Sequence, residues 1–329
     1  KEVGRAKSIE EFINGIREIP VESLLYHAKS HHFSNWLAAR TEFKLASRLR
    51  PVYAQEFDSG ELLRTYILQC LSSEKDESEY RVLDYTSARF KKQKSDFFRL
   101  CGGSLGGKAR GLAFARFMIK QSGIEEEFED VTIRVPDCAV VGTHEFDQFM
   151  KDNQLWQKAL NIDDNKKLER AFKKARLSID LILKLESFIR DHKNPLAVRS
   201  SSLLEDSQYQ PLAGTYKTIM LPNNSRSTKK RLNELMIAIK SVFASTFKGE
   251  AKSLLSSTGH SIEEEKMAVV IQEMVGQSYK SKRFYPTFSG VLKSINYYPV
   301  SYMKRDEGVA YLALGFGRTI VDGEKCLRI

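Results

Sequence analysis

Two cations sit in stretches whose composition suits a polyphosphate. Lys108 ends the run Gly102-Gly103-Ser104-Leu105-Gly106-Gly107-Lys108, and Gly111 follows, so five of the ten residues from 102 to 111 are glycine. Glycine has no Cβ, so its amide can turn toward an anion and a bulky ligand can approach the backbone. The helix-like pattern just beyond adds unpaired N–H donors and the positive end of a helix dipole. Lys108 brings a full charge to the same place. Gly102 to Lys108 fits G-x-x-x-x-G-K, but Ala109 stands where a P-loop carries the Ser or Thr that holds Mg²⁺. A true P-loop is therefore not expected. The plain alternative is a glycine-rich turn that only connects two elements.

Arg199 follows the apolar run Leu196-Ala197-Val198 and precedes Ser200-Ser201-Ser202, the acidic pair Glu205-Asp206 and the turn residues Gly214-Thr215. Its planar guanidinium can hold two phosphate oxygens at once, and the serines can donate to phosphate. Equally, Arg199 can pair with Glu205 or Asp206 while the serines terminate the strand. The residues alone leave both readings open. His27 and His31 are spaced to share a helical face, as zinc ligands do. No Glu follows His27 and no third ligand is evident, so a surface or half-buried pair is expected. Cys70, Cys101, Cys138 and Cys326 form no C-x-x-C pair, which speaks against a zinc ribbon and a disulfide framework.

The elements that must position these residues follow from periodicity. Residues 8–90 read as helical, with Ser8 as a cap, Pro51 as a break, and a polar linking stretch at 72–79. The spacing predicts a helix over 108–121 with Leu112, Ala113, Phe117 and Met118 inward and Gly123 as its stop. A strand over 131–141, interrupted at Pro136-Asp137, leads into a helix carrying Phe146, Phe149 and Met150. Residues 165–192 read as one long amphipathic helix. Residues 228–247 form another, with Leu232, Leu235, Ile239 and Phe243 inward. A buried strand from Met267 ends in a polar hinge at Gly276, and further strands are expected at 289–292 and 309–314.

With 329 residues, 42% hydrophobic and 29% charged, the chain has the make-up of an ordinary globular protein and can fill more than one unit. No apolar run approaches the length that spans a bilayer, so no membrane partner is expected. The start, Lys1-Glu2-Val3-Gly4, has neither the apolar core of a signal peptide nor an initiator Met. A cytoplasmic chain cut from something longer is expected. The net charge of +10 is spread over basic clusters at 91–94 and 229–231 and interrupted by acidic ones at 125–127 and 263–265. A nucleic-acid binder concentrates its cations with aromatics on one face. The pattern here suits solvated helices plus a site for an anionic ligand.

Four blocks in order resemble the nucleotide-binding domain of phosphoenolpyruvate synthase and pyruvate phosphate dikinase, an ATP-grasp domain. They are GGSLGGKARGLAF, VRSSSLLEDSQYQPLAGTY, AVVIQEMVG with the later SGV, and ALGFGRTIVDG. VPDCAVVGTHEFDQF is similar to that family's strand and helix after the lysine block. The segment around Ser23-Leu24-Leu25-Tyr26-His27 and His32-Phe33-Ser34-Asn35-Trp36 looks like the helical lead-in of a phosphoenolpyruvate-synthase-like subgroup. The resemblance implies an α+β fold: a helical extension over 1–90 and, over 91–329, a C-terminally truncated ATP-grasp domain of two subdomains.

It also implies roles. Lys108 and Arg199 would contact ATP phosphates across a cleft and stabilise the migrating charge. Gly106 and Gly107 would lie under the phosphates, and Ser200, Ser201 and Gly214 would belong to a loop folding over them. Gln272, Glu273, Met274 and Val275 would be the hinge whose backbone reads adenine. The implied cofactors are ATP and Mg²⁺. The family commonly has a glutamate after G-x-G that holds the metal. Here Arg318 stands there, suited to phosphate rather than to a cation, and Asp322 or Glu324 would have to supply the ligands. The family's phosphoryl-carrying histidine lies in a separate S-H-A setting that none of the six histidines here has. The implied partners are therefore phosphohistidine and pyruvate/phosphoenolpyruvate-binding domains of the same full-length protein. The implied reaction passes the β-phosphoryl of ATP to that histidine and then to pyruvate. Two rivals stand beside it: an ATP-sensing module without phosphotransfer, which Arg318 favours, and a basic domain for nucleic acid.

Overall fold

Ser8 begins the first helix as its sequence suggests, its Oγ accepting from the Glu11 N–H at 3.1 Å. Helices α1 (Ile9–Glu18), α2 (Val21–Lys29), α3 (His32–Ala39) and α4 (Phe43–Leu49) follow one another through short turns, and α5 (Gly60–Ser72) comes next in the chain. Helices this short are marginal alone. They are held by one shared core that includes Phe12, Ile16, Leu24, Leu37, Leu45 and Leu63. Arg64 on α5 donates to the carbonyls of Ile16 at 2.5 Å and Ile19 at 2.8 Å, placing a cation on the C-terminal end of α1.

The computed structural model describes residues 4–6, 8–51, 54, 57, 59–72, 82–85, 97–124, 127–202, 215–249, 251–253, 265–280, 283–300, 302–321, 323 and 326–329. Glu205, Asp206, Gly214, Asp322, Glu324, the basic cluster at 91–94 and most of the linking stretch at 72–79 lie outside these residues.

The main sheet has the order β1-β2-β3-β6-β4-β5, with β1 Leu83–Asp84, β2 Phe97–Cys101, β3 Cys138–Val141, β4 Leu196–Ser202, β5 Thr218–Leu221 and β6 Met267–Glu273. β1, β2 and β3 run parallel, while β3 pairs with β6 and β4 with β5 in antiparallel fashion. Alternation divides each strand between two faces. Phe98, Leu100, Val141, Val198, Val269 and Ile271 enter the main core with α7 (Thr143–Asp152), α8 (Leu155–Asn161), α9 (Asn165–Lys174), α10 (Ile179–Asp191) and α11 (Thr228–Ser245). Phe97, Cys138, Val140 and Val270 face the opposite way, onto Leu105, Ala109 and Ala113 of α6 (Gly106–Ser122) and the residue before it. Burial on both faces is why the central strands read as unbroken apolar runs. The architecture is mixed α+β with a helical N-terminal region.

Three expectations are corrected. The single helix over 165–192 is two, α9 and α10, because backbone between them is claimed by α7 and its end: Asn153 accepts from Arg176 N at 2.9 Å and Glu145 from Ser178 N at 2.9 Å. Ser178 then caps α10, and Ile179, expected inside, is 77% exposed. The strand over 131–141 is limited to Cys138–Val141. Met118 faces outward on α6, while Ala109 is buried in its place. Gly123, at φ 68°, does end that helix.

The chain divides into two compact units, Lys1–Gln272 and Glu273–Ile329. In the second, β9 (Phe288–Lys293) pairs with β10 (Val309–Leu314), which pairs with β11 (Leu327–Arg328), all antiparallel. A hairpin joins β7 (Gln277–Tyr279) to β8 (Arg283–Tyr285), with Tyr279 and Tyr285 stacked at 4.1 Å, and α12 (Arg318–Val321) follows β10. Among the described residues, no helix is long and apolar enough to cross a membrane.

Candidate functional site

The glycine run leaves β2 and enters α6 through a network that the neighbouring strand end supplies. Ser104 N donates to Thr143 Oγ1 at 2.9 Å and Thr143 N returns a bond to the Ser104 carbonyl at 3.0 Å. His144 N donates to the Gly102 carbonyl at 3.1 Å. The loop is thereby fastened to the start of α7. Gly106 has φ 75°, and a Cβ there would lie 1.7 Å from the Ser201 carbonyl oxygen. Only glycine lets helix and strand meet this closely.

Ser201 completes the junction. Its hydroxyl donates to the Leu105 carbonyl at 2.8 Å and accepts from Ala109 N at 3.0 Å. Gly106 N finds Ser104 Oγ at 3.2 Å. Gly106 N is a donor that a helix N-terminus leaves without an intrahelical partner, and a side chain meets it, while Gly107 and Lys108 also lie in that first turn. The position where a P-loop needs a hydroxyl is filled by Ala109, and the hydroxyl next to it comes from Ser201, ninety-two residues along the chain.

Lys108 Nζ donates to Ser200 Oγ at 3.2 Å, which puts the lysine against the residue that follows Arg199. Arg199 leaves the same strand, half-buried, and its NH1 donates to Gln272 Oε1 at 3.0 Å. Gln272 is the register partner of Cys138 across β3 and β6. The Cys138 thiol is pushed up to about 12 by burial and by Asp137, against the opposing charges of Arg199 and Arg116. Both cations are therefore carried by α6 and the strand it covers. Ser200 and Ser201 belong to β4 and are fully buried rather than part of a loop.

Beside the loop, Glu145 is buried and accepts from Ser178 Oγ at 2.6 Å. Burial raises its pKa, with the Ser178 bonds working against the shift. Cys101, whose Sγ is 4.0 Å from Glu145, is pushed up to about 12 by burial and then by that carboxylate. In both, burial disfavours the thiolate, the form that acts as a nucleophile. A cleft of about 810 Å³ is lined by Gly102, His144, Glu145 and Lys184, without Lys108 or Arg199.

Among the hinge residues, Gln272 closes the first unit, and Glu273, Met274 and Val275 open the second, Val275 being 63% exposed. Arg318 begins α12 in the second unit. Gly214, Asp322 and Glu324 are outside the described residues, so the residues named for Mg²⁺ offer no geometry against which a metal can be fitted. What the sequence reading missed is the work of Thr143, Ser104 and the Gln272 side chain. Gln272 stands seventy-three positions from Arg199, and no local pattern marks such a partner.

A mixed sheet with a glycine-rich helix start packed on the strand that carries Arg199 defines a domain of the mixed α+β class. The family profile described as "Pyruvate phosphate dikinase, AMP/ATP-binding domain" matches residues 103–326, and the chain belongs to that family. It is also similar to "Uncharacterized phosphotransferase YvkC" of Bacillus subtilis (strain 168), 28% identical over 192 residues. The match covers 57% of this chain and 20% of that protein, so the chain spans about a fifth of the length of the curated relative it matches.

Proposed function

We propose that this chain is the ATP-binding portion of a phosphoenolpyruvate-synthase-like phosphotransferase, built as an ATP-grasp domain behind a helical extension over 1–90. The observation that carries the reading is the 3.2 Å bond from Lys108 to Ser200, which brings the lysine block and the arginine block to one place. Lys108 and Arg199 bind the phosphates and neutralise charge as it moves, with the first-turn amides of Gly106 and Gly107 at the same helix start. Phosphoryl transfer depends mainly on such positioning and charge. Ser201 holds the helix start in place, and Ser200 orients Lys108. The backbone of Glu273 and Val275 reads the adenine edge. Arg318 contributes a further positive charge, and Asp322 and Glu324 are the residues offered for Mg²⁺. The β-phosphoryl then passes to a histidine on a separate domain and from there to pyruvate. The phosphotransferase label of the Bacillus subtilis relative supports this general class.

Titration calorimetry with ATP, AMP and GTP, each with and without Mg²⁺, tests nucleotide binding. Tight ATP binding that weakens in Lys108→Ala and Arg199→Ala is the expected result, and unchanged curves for both variants would refute the site. Production of AMP from ATP and pyruvate by the full-length protein tests the transfer. Its absence, with ATP binding intact, favours the second reading: an ATP-sensing module, to which Arg318 in place of the family's glutamate points. Salt-sensitive binding to DNA or RNA with no preference for adenine nucleotides would favour the nucleic-acid reading instead.

A further inference from the structure

The helical region holds a second chemical feature, independent of the nucleotide site. His27, in the last turn of α2, and His32, the first residue of α3, face each other with their Nδ1 atoms 2.9 Å apart. The rings are tilted 56° to one another, and His31, at φ 53°, makes the bend that joins the two helices. His27 and His31 are half-buried, as expected of that pair, and the ring that His27 meets is that of His32.

We propose that His27 and His32 form a two-imidazole site for a divalent transition-metal ion. Their Nδ1 atoms, 2.9 Å apart, are close enough to ligate one ion in adjacent positions. Imidazole suits copper, nickel and zinc, and copper(II) heads the affinity order for such nitrogen sites, which makes it the probe. In the metal-free chain one ring donates its Nδ1–H to the other. On binding, the half-buried His27 ring and the exposed His32 ring turn so that their lone pairs converge on the ion, and the donor's proton moves from Nδ1 to Nε2. Neutral rings therefore release no net proton. Both histidines line a cleft of about 1240 Å³ shared with Glu11, Glu18 and Tyr26. Arg5 lines it too, and its open volume leaves the remaining coordination positions to water or a small ligand.

The test is a copper(II) titration against a chelator of micromolar affinity, read by electron paramagnetic resonance. It is run on the unaltered chain and on His27→Ala, His32→Ala and His31→Asn, asparagine being tolerant of the left-handed backbone at 31, with circular dichroism to confirm folding. One equivalent showing two-nitrogen hyperfine structure is expected, weakened at least tenfold in His27→Ala and His32→Ala and unchanged in His31→Asn. Equal affinity in all variants, or an equal loss in His31→Asn, overturns the proposal. In the unaltered chain, copper should broaden the ring resonances of His27 and His32 selectively, and broadening elsewhere alone also overturns it. ATP affinity should be the same with and without copper.

Discussion

Arg199 NH1 and Gln272 Oε1 lie 3.0 Å apart, joining β4 to β6 on the sheet face that α6 covers. The bond fixes where the guanidinium points, and Gln272 is thus a positioning residue for Arg199 as well as the start of the expected hinge.

Replacing Lys108 or Arg199 by alanine should weaken ATP binding by about tenfold to a hundredfold, the range for losing one charged hydrogen bond of roughly 1.5–3 kcal/mol. Both side chains are half-buried rather than core, so urea midpoints should stay close to that of the unaltered chain. Calorimetry and urea unfolding on the same samples separate the two effects.

Gln272→Leu should reproduce part of the Arg199→Ala loss, a few-fold in ATP affinity, because the guanidinium keeps its charge and loses its direction. The double variant Gln272→Leu/Arg199→Ala should lose no more affinity than Arg199→Ala alone. Strict additivity of the two affinity losses would contradict the positioning role.

Ser201→Ala should destabilise the domain by about 1–3 kcal/mol, since the Ala109 N–H and the Leu105 carbonyl lose their buried partner together. Gly106→Ala should cost more, roughly 2–4 kcal/mol, because its Cβ meets the Ser201 carbonyl at 1.7 Å from a backbone at positive φ. Chemical denaturation ranks the two, and the reverse order would show that the helix–strand junction is looser than described.

Glu169 gives a pH dependence. Burial works to raise its pKa, but Lys173 at 2.9 Å, Lys217 at 3.1 Å and Lys248 at 3.2 Å outweigh that and hold it at about 2, below its ordinary 4.5. A carboxylate depressed by folding stabilises the fold fully above the unfolded pKa and loses that contribution as pH falls through the folded one. The loss should therefore fall between about 4.5 and 2. Thermal melts of the unaltered chain and Glu169→Gln should differ at pH 7 and converge toward pH 2. A constant difference across that range would show that the three lysines do not act through charge.

Short-range physics made much of this protein readable from its residues. The Ser8 cap, the α6 stop at Gly123 and the inward positions of α11 depend on neighbours within about one helical turn, where side-chain spacing fixes the outcome. The glycine run likewise leads into a helix, which begins at Gly106. Motifs in fixed order also indicated the family, which the profile match over 103–326 shows.

Pairing across long stretches of chain was settled only by folding. The break between α9 and α10 depends on Asn153 and Glu145, which outbid the helix for backbone donors that periodicity had assigned to it. Lys108 meets Ser200, Arg199 meets Gln272, and His27 meets His32 rather than His31 because sheet register and helix packing choose those partners. A sequence pattern records which face a residue occupies, while the atom it meets is set by the competition among all the groups that packing brings within reach.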